Sequence, residues 1–388
     1  MMKPRIRYGM VGGGQGAFIG AVHRMAARLD DQYELVCGAL SSTAARSQQS
    51  GAELGLAPHR AYADYQTLFE REAALPADQR MQCVVIVTPN RTHLAIASAA
   101  LDHGFHVLSD KPATATLAEC RELAARLRIS GLQYGLTHPY TAYPMVREAQ
   151  ARVASGALGT VRKVLVEYTQ GWLAANIEQH GNKQALWRLD PAQAGISSCM
   201  ADIGVHAFNL AEFVTGLEVR ELCASLNSVV AGRKLDDDGT VLLRFDNGAS
   251  GVLMASQVCV GDENNIRLRV YGDKASVDWQ QMEPNSLRLR PLDAPAQLLR
   301  TAAPGTGSSA SAATRIPAGH PEGYIEAFAN VYREFAQQLR AAGSGKVAAT
   351  PGAVPGIKAA LRGMAFIEGA VASSAAGTKW QELPKVDA

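Results

Sequence analysis

The sequence predicts a two-part α/β protein: a parallel sheet wrapped by helices, then an α+β part built on a large, mostly antiparallel sheet. Three observations carry this. Short apolar runs alternate with helical patterns through the first third of the chain. A glycine-rich turn, "GMVGGGQGAFIG", joins the first run to the first helical pattern. After Pro139 the texture changes to β-branched alternation broken by "DNG" and "YGD" turns.

The elements follow in order. "RIRYGMV" predicts a short buried strand, and "AFIGAVHRMAARLD" a helix with Ala17, Ile19, Val22, Met25, Ala26 and Leu29 on its apolar side. "YELVCGAL" is a strand, "AARSQQSGAELGL" a helix, "MQCVVIVTP" a buried strand and "NRTHLAIASAALDHG" a helix led by Asn90. "FHVLSDKP", "TLAECRELAARLRI" and "LQYGLTHP" give strand, helix and strand. In the second part, "YTAYPMVREAQARVASGALG" predicts a helix, "TVRKVLVEYTQG" a strand and "DIGVHAFNLAEFVTG" a helix. "VRELCASLNSVV", "DDDGTVLLRFDNGASGVLMASQV" and "NIRLRVYGDKASVDWQ" supply the antiparallel sheet. Residues 291–319, rich in Pro, Ala, Ser, Gly and Thr, predict an exposed or mobile loop. "EGYIEAFANVYREFAQQLR" and "IKAALRGMAFIEGAVAS" are closing helices. With 388 residues available, the expected domains are 1–137 and 138–388, residues 360–388 packing back on the first.

Composition excludes several function classes. The formal net charge is +2, so no basic field points to nucleic acid and no acidic excess to a disordered tail. No run of 18 apolar residues predicts a membrane span, and "MMKPRIR" lacks a signal-peptide pattern. The six cysteines are dispersed, without zinc or redox spacing, and are expected to be reduced and buried in a cytoplasmic protein.

The glycine turn lies between strand and helix, where a Rossmann dinucleotide-binding fingerprint belongs. The best register is Gly12-x-Gly14-x-x-Ala17. Gly12 would permit the tight turn, Gly14 the approach of the pyrophosphate, and Ala17 close packing of the helix on the sheet. The helix N-terminus then offers N–H groups to phosphate, with Gln15, Gly16, Phe18 and Ile19 around it. After the second strand an NAD-binding chain often carries an acid for the ribose; here Ser41 and Ser42 stand there. Arg46 is either a 2′-phosphate contact or a surface residue, which leaves NAD against NADP open. Three further strand ends read "TPNRTH", "SDKP" and "THPY". They place Thr88, Pro89, Asn90, His93, Asp110 and Lys111 beside the cofactor and His138 near the site, since ligands of such sheets gather at carboxyl strand ends.

Four motifs in this order resemble the Gfo/Idh/MocA family: the fingerprint, "TPNRTH" at 88–93, "DKP" at 110–112 and "DIGVH" at 202–206. The resemblance runs from about residue 5 to 375. Family members usually carry Glu-Lys-Pro where this chain has Asp110-Lys111-Pro112, a change that keeps the acid and the lysine. The resemblance implies a nicotinamide-dependent oxidoreductase for a sugar, cyclitol or related secondary alcohol. It also implies a homodimer or homotetramer that uses one face of the second sheet. "TQGWL", "NKQALWR" and "HPEGYIEAFANVY" point towards the inositol, L-glucose or levoglucosan dehydrogenase branch.

Alcohol oxidation needs a hydride acceptor, a base for the hydroxyl proton, and stabilisation of the oxygen. Lys111 is expected to hydrogen-bond the reacting oxygen; Asp110 either orders Lys111 or caps the following helix. Asp202 and His206, four residues apart, either share one helix face or place Asp202 at the helix mouth. The resemblance puts both at the substrate and makes His206 the base, with Asp202 orienting it or binding a second hydroxyl. Two such side chains do not make a catalytic zinc site, and no metal is expected. Tyr140, Trp172, His180, Gln184, Trp187 and Arg188 combine flat faces with donors, as a polyol pocket does, although Trp187 also suits a core; His320 would close over the substrate. Two alternatives remain: an NADPH-dependent keto-sugar reductase, and a catalytically inactive dinucleotide-binding protein.

Overall fold

The computed structural model describes residues 4–344, 354–377 and 379–386. Contacts divide the chain into two compact units. The first comprises the chain up to Thr137 with Phe328–Leu361, the second His138–Ala327 with the chain from Arg362.

In the first unit the order is β1 (Ile6–Gly12), α1 (Phe18–Leu29), β2 (Tyr33–Ala39), α2 (Ala44–Glu53), α3 (Tyr65–Ala73), β3 (Cys83–Val87), α4 (His93–Asp102), β4 (His106–Ser109), α5 (Leu117–Ser130) and β5 (Tyr134–Leu136). Among the described residues the sheet is parallel, ordered β2-β1-β3-β4-β5. β3 is buried along its whole length because helices cover both faces, which is why "CVVIV" shows no alternation. α5 begins at Thr116, whose hydroxyl accepts from Glu119 N at 3.1 Å, while Glu119 reaches back to Ala115 N at 2.9 Å. Asp110 therefore does not cap this helix. α3 escapes the periodicity because its inner face carries an acid: Glu72 is buried, accepting from Arg60, Tyr62 Oη at 2.9 Å and Met81 N at 2.9 Å.

The second unit runs α6 (Pro144–Ala154), β6 (Val161–Thr169), α7 (Lys183–Arg188), α8 (Pro191–Ala194), α9 (Val205–Thr215), β7 (Val219–Asn227), β8 (Asp238–Phe245), β9 (Ser250–Ser256), β10 (Asn265–Gly272), β11 (Ala275–Gln280), β12 (Ser286–Pro291), β13 (Gln297–Arg300) and α10 (Ser308–Ala312). α11 (Tyr324–Gly343), α12 (Ile357–Ala375) and β14 (Trp380–Glu382) complete the chain. The described strands form one sheet, β13-β12-β11-β10-β6-β9-β8-β7-β14, antiparallel except where β6 runs beside β9. Alternation is clean in β8, where Val241, Leu243 and Phe245 are buried and Thr240, Leu242 and Arg244 exposed. Helices α6 and α9 cover the inner face.

Three expectations need correction. Residues 291–319 are not a plain loop: β13 pairs with β12, and α10 packs on α6. A free sheet edge and the buried Glu148, which accepts from Gly307 N at 2.6 Å, supply the order that composition does not. The segment returning to the first unit is Phe328–Leu361, not 360–388. Arg362 instead pairs with Glu212 and donates to Val219 O at 2.7 Å, and β14 pairs with β7. Residues 378, 387 and 388 of that stretch lie outside the described residues. All six cysteines are free; Cys223 and Cys259 are half-buried rather than buried. No described helix is long and apolar enough to cross a membrane.

The return is anchored at His23 on α1, whose Nδ1 pairs with Tyr332 Oη at 2.7 Å, while Tyr33 Oη donates to Tyr332 O at 2.9 Å. Burial lowers the pKa of His23 from 6.5 to about 4. The unfolded chain therefore takes up this proton first. The neutral ring's contribution is complete above pH 6.5, and about 3 kcal/mol is lost as pH falls towards 4. In urea unfolding, His23→Gln should flatten the pH dependence over that window relative to the parent. His106, lowered by burial in the same direction, remains in both proteins and cancels in the comparison.

Candidate active site

In the first unit the glycine turn is built from the backbone. Gly12 has φ +82°, which only glycine adopts without strain. A Cβ on Gly14 would stand 2.5 Å from Leu40 O, so this glycine is required by β2's end as much as by a ligand. The close approach of helix to loop is made at Gly20, where a Cβ would lie 2.4 Å from Gly13 Cα. Ala17, half-buried at the helix N-cap, does not make it. The third position of the fingerprint is thus Gly20, three residues beyond the expected one. The loop is pinned by Gly14 N donating to Leu40 O at 3.1 Å and Gln15 N to Ser50 Oγ at 3.0 Å. Arg24 Nη1 donates to Gly13 O at 2.6 Å. Gly16 faces open space, Phe18 and Gln15 are exposed and Ile19 is half-buried at the start of α1. A glycine cradle opening on a helix start fits a dinucleotide pyrophosphate.

Ser41 and Ser42 come one residue after β2, past Leu40, with Arg46 exposed in the first turn of α2. At the end of β3, Thr88 Oγ1 accepts from Thr92 Oγ1 at 2.8 Å, Pro89 is exposed and Asn90 buried. His93 is not placed as a polar cofactor contact. Its Nδ1 and Nε2 each lie 2.8 Å from a carbonyl oxygen, of Pro112 and Thr88, so the ring ties two loops together. Asp110 Oδ1 accepts from Lys111 N at 3.0 Å and Thr137 Oγ1 at 2.7 Å, which fixes the turn that presents half-buried Lys111. The Lys111–Pro112 peptide is cis.

In the second unit, Asp202 lies in one wide π-helical turn, Met200–Gly204, and His206 in the first turn of α9. Asp202 is thus at the mouth of the helix. Its Oδ2 accepts from Arg188 Nε at 3.1 Å and Gln257 Nε2 at 2.9 Å. His206 Nδ1 is 2.9 Å from His138 Nδ1, with the rings at 90°. The Tyr140 ring meets His206 edge-on at 5.0 Å. Tyr140 Oη and Tyr168 Oη are hydrogen-bonded, and Tyr168 donates to Asn264 Oδ1 at 2.7 Å. Burial raises the pKa of both phenols, so both remain protonated donors. Gln170 continues the array: Nε2 donates to Asn264 Oδ1, and Oε1 accepts from Trp172 Nε1 at 2.9 Å. Arg188 stacks over Trp187 at 4.3 Å and Trp172 at 5.9 Å, with Nη1 donating to Gln184 Oε1 at 2.6 Å.

The structure therefore brings Tyr140, Trp172, Trp187, Asp202 and His206 into one polar and aromatic array with Arg188 and Gln184. Two predicted residues stand apart. His180 is exposed at the end of a short turn, and His320 is exposed with Nδ1 3.2 Å from Pro317 O. Tyr168, Gln170, Gln257 and Asn264 were not anticipated. Their signal was weak: polar residues at the ends of β6, β9 and β10, which a strand pattern discounts. A hollow of about 600 Å³ is lined by Arg5, Tyr8, Arg24, Asp31, Tyr33 and Glu34, and a second of about 350 Å³ lies at the glycine turn, lined by Gly14, Gln15, Gly16, Ala17, Phe18 and Ser50. Among the described residues no group of three or more His, Cys, Asp or Glu could hold a metal ion.

Gly20→Ala should raise the dissociation constant for NADH about fivefold or more, since overpacking the loop costs ~1–3 kcal/mol. Ala17→Gly should leave it within about threefold, because that side chain makes no comparable approach. Fluorescence titration of NADH with both variants checks the register.

Residues 6–138 match the description "Oxidoreductase family, NAD-binding Rossmann fold", and residues 146–278 match the GFO/IDH/MocA C-terminal domain. The chain is 35% identical to an inositol dehydrogenase homolog from Azotobacter vinelandii in complex with NAD+, covering 98% of each chain at a TM-score of 0.93. The homolog's complex with NADH and myo-inositol is matched at 34% identity, 98% of each chain and a TM-score of 0.90. Levoglucosan dehydrogenase from Pseudarthrobacter phenanthrenivorans is 25% identical over 80% of this chain and 82% of its own. Likeness across both units at once makes this chain a member of the GFO/IDH/MocA family, an oxidoreductase with an NAD-binding Rossmann domain.

Proposed function

We propose that the enzyme oxidises a secondary hydroxyl of a sugar, cyclitol or anhydrosugar with NAD, His206 taking the hydroxyl proton and Lys111 assisting. The observation that carries this is the array around Asp202 and His206. Amides, phenols and indoles, many of them buried, are held in fixed orientation by one another. Such a wall reads a pattern of hydroxyls, because an analogue lacking one leaves a buried partner unpaired. Myo-inositol in the related complex and levoglucosan in the name of another relative are ligands of this chemical class.

The chemistry that NAD supplies when bound is acceptance of a hydride from the carbinol carbon. The residues of this chain handle position and proton. His206 accepts the hydroxyl proton on Nε2, since Nδ1 is engaged by His138. Lys111 stabilises charge developing on the oxygen, from a backbone turn that Asp110 holds. Asp202, itself held by Arg188 and Gln257, receives a second substrate hydroxyl.

Inositols, aldoses and anhydrosugars should be screened with NAD, following absorbance of the reduced ring. Turnover of at least one is expected, and failure across the panel would remove the substrate class. Lys111→Ala and His206→Ala should each lower kcat/KM by roughly 10²-fold or more while NADH still binds. Near-parental turnover in either variant would remove that residue's role.

A further inference from the structure

We propose that His138 is a positioning residue for His206: it fixes the tautomer of the base and stabilises its protonated form. The inference rests on the assignment of His206 as the base.

The geometry limits the protons. Two Nδ1 atoms 2.9 Å apart cannot both carry hydrogen, and two facing lone pairs would repel, so one ring donates and the other accepts. A neutral His206 that takes a proton on Nε2 must carry its own on Nδ1. His138 then accepts at Nδ1 and keeps its own proton on Nε2. When His206 gains the substrate proton it becomes an imidazolium, and the same N–H···N bond becomes charge-assisted. The bond is therefore stronger after proton transfer than before, which is the condition for an interaction to help the chemical step.

The surroundings hold this geometry. His138 is 1% and His206 7% exposed, so water is a poor substitute for either partner. The backbone of His138 is fixed where its carbonyl accepts from Thr141 Oγ1 at 2.9 Å. Tyr140 meets His206 edge-on, with Tyr168 tilted at 6.4 Å. A carboxylate in the place of His138 would also orient the base, but would bring a second negative charge beside Asp202. An imidazole orients it without one.

The test compares His138→Phe, which keeps a ring but no nitrogen, with His138→Asn, whose Oδ1 can accept the same Nδ1–H. In His138→Phe, kcat should fall roughly 10- to 100-fold, with KM for the polyol within about threefold and NADH affinity unchanged. His138→Asn should recover part of that loss. Nitrogen NMR of histidine-labelled parent protein, without substrate, should show one pyrrole-type and one pyridine-type Nδ1 in the pair. Turnover of His138→Phe within about twofold of the parent overturns the inference, as does an Asn variant no better than Phe, or two pyridine-type Nδ1 atoms. If His138→Phe does not fold, the Asn variant and the spectrum decide. His206→Ala separates the two claims: lost turnover there beside normal turnover in His138→Phe overturns only the role of His138, whereas retained turnover removes the base itself.

Discussion

One buried carboxylate sets the course of the chain into the helix that carries Asp202 and His206. Asp236 accepts from Ser197 Oγ at 3.0 Å, Ser198 N at 2.9 Å and Met200 N at 2.9 Å. Burial pushes its pKa up and those three donors oppose the shift. Remove it and two backbone N–H groups lose their partner inside the fold. The π-helical turn follows at once, and the direction of both side chains follows from the turn. The next residue does similar work on another segment. Asp237 accepts from Val229 N and from Arg233 Nη1, and Arg233 reaches Leu173 O at 2.7 Å and Glu178 at 2.8 Å. Two adjacent acids thereby order both the entry to the helix that carries His206 and the loop that bears Trp172.

The two units solve positioning in different materials, and this decides what a sequence reveals. The first works through backbone: glycines that admit close approach, an N–H held by Ser50, carbonyls held by Arg24 and His93, a turn fixed by Asp110. Glycine, proline and strand ends are local signals, so the parallel sheet, the glycine turn and the "DKP" turn could be read directly. The register could not. Gly12-x-Gly14 is followed by a longer excursion before Gly20, and only the packing of Gly20 on Gly13 shows which small residue the sheet demands.

The second unit works through side chains drawn from distant strands, and there sequence reading thins out. Asp202 and His206 stand four apart and signal a shared purpose. Tyr168, Gln170, Gln257 and Asn264 come from three strands and meet only in the fold. His138 and His206 are 68 residues apart, and no periodicity links them. α3 and α10 were hidden for a related reason. Each is stabilised by a buried acid, Glu72 within α3 and Glu148 beneath α10, and a pattern method scores a buried acid as surface.

The same hydrogen bonds bear on how Asp202 and His206 differ in what they can do. Asp202 Oδ2 already faces two donors, Arg188 Nε and Gln257 Nε2. Both donors point at that one oxygen, and an ionised carboxylate accepts from both. The partner of His206 at Nδ1 is another imidazole, and a proton arriving at Nε2 strengthens that contact. A carboxylate surrounded by donors is suited to remain an acceptor for hydroxyl groups. An imidazole backed by an imidazole is suited to gain and lose a proton while the bond between the two rings is kept.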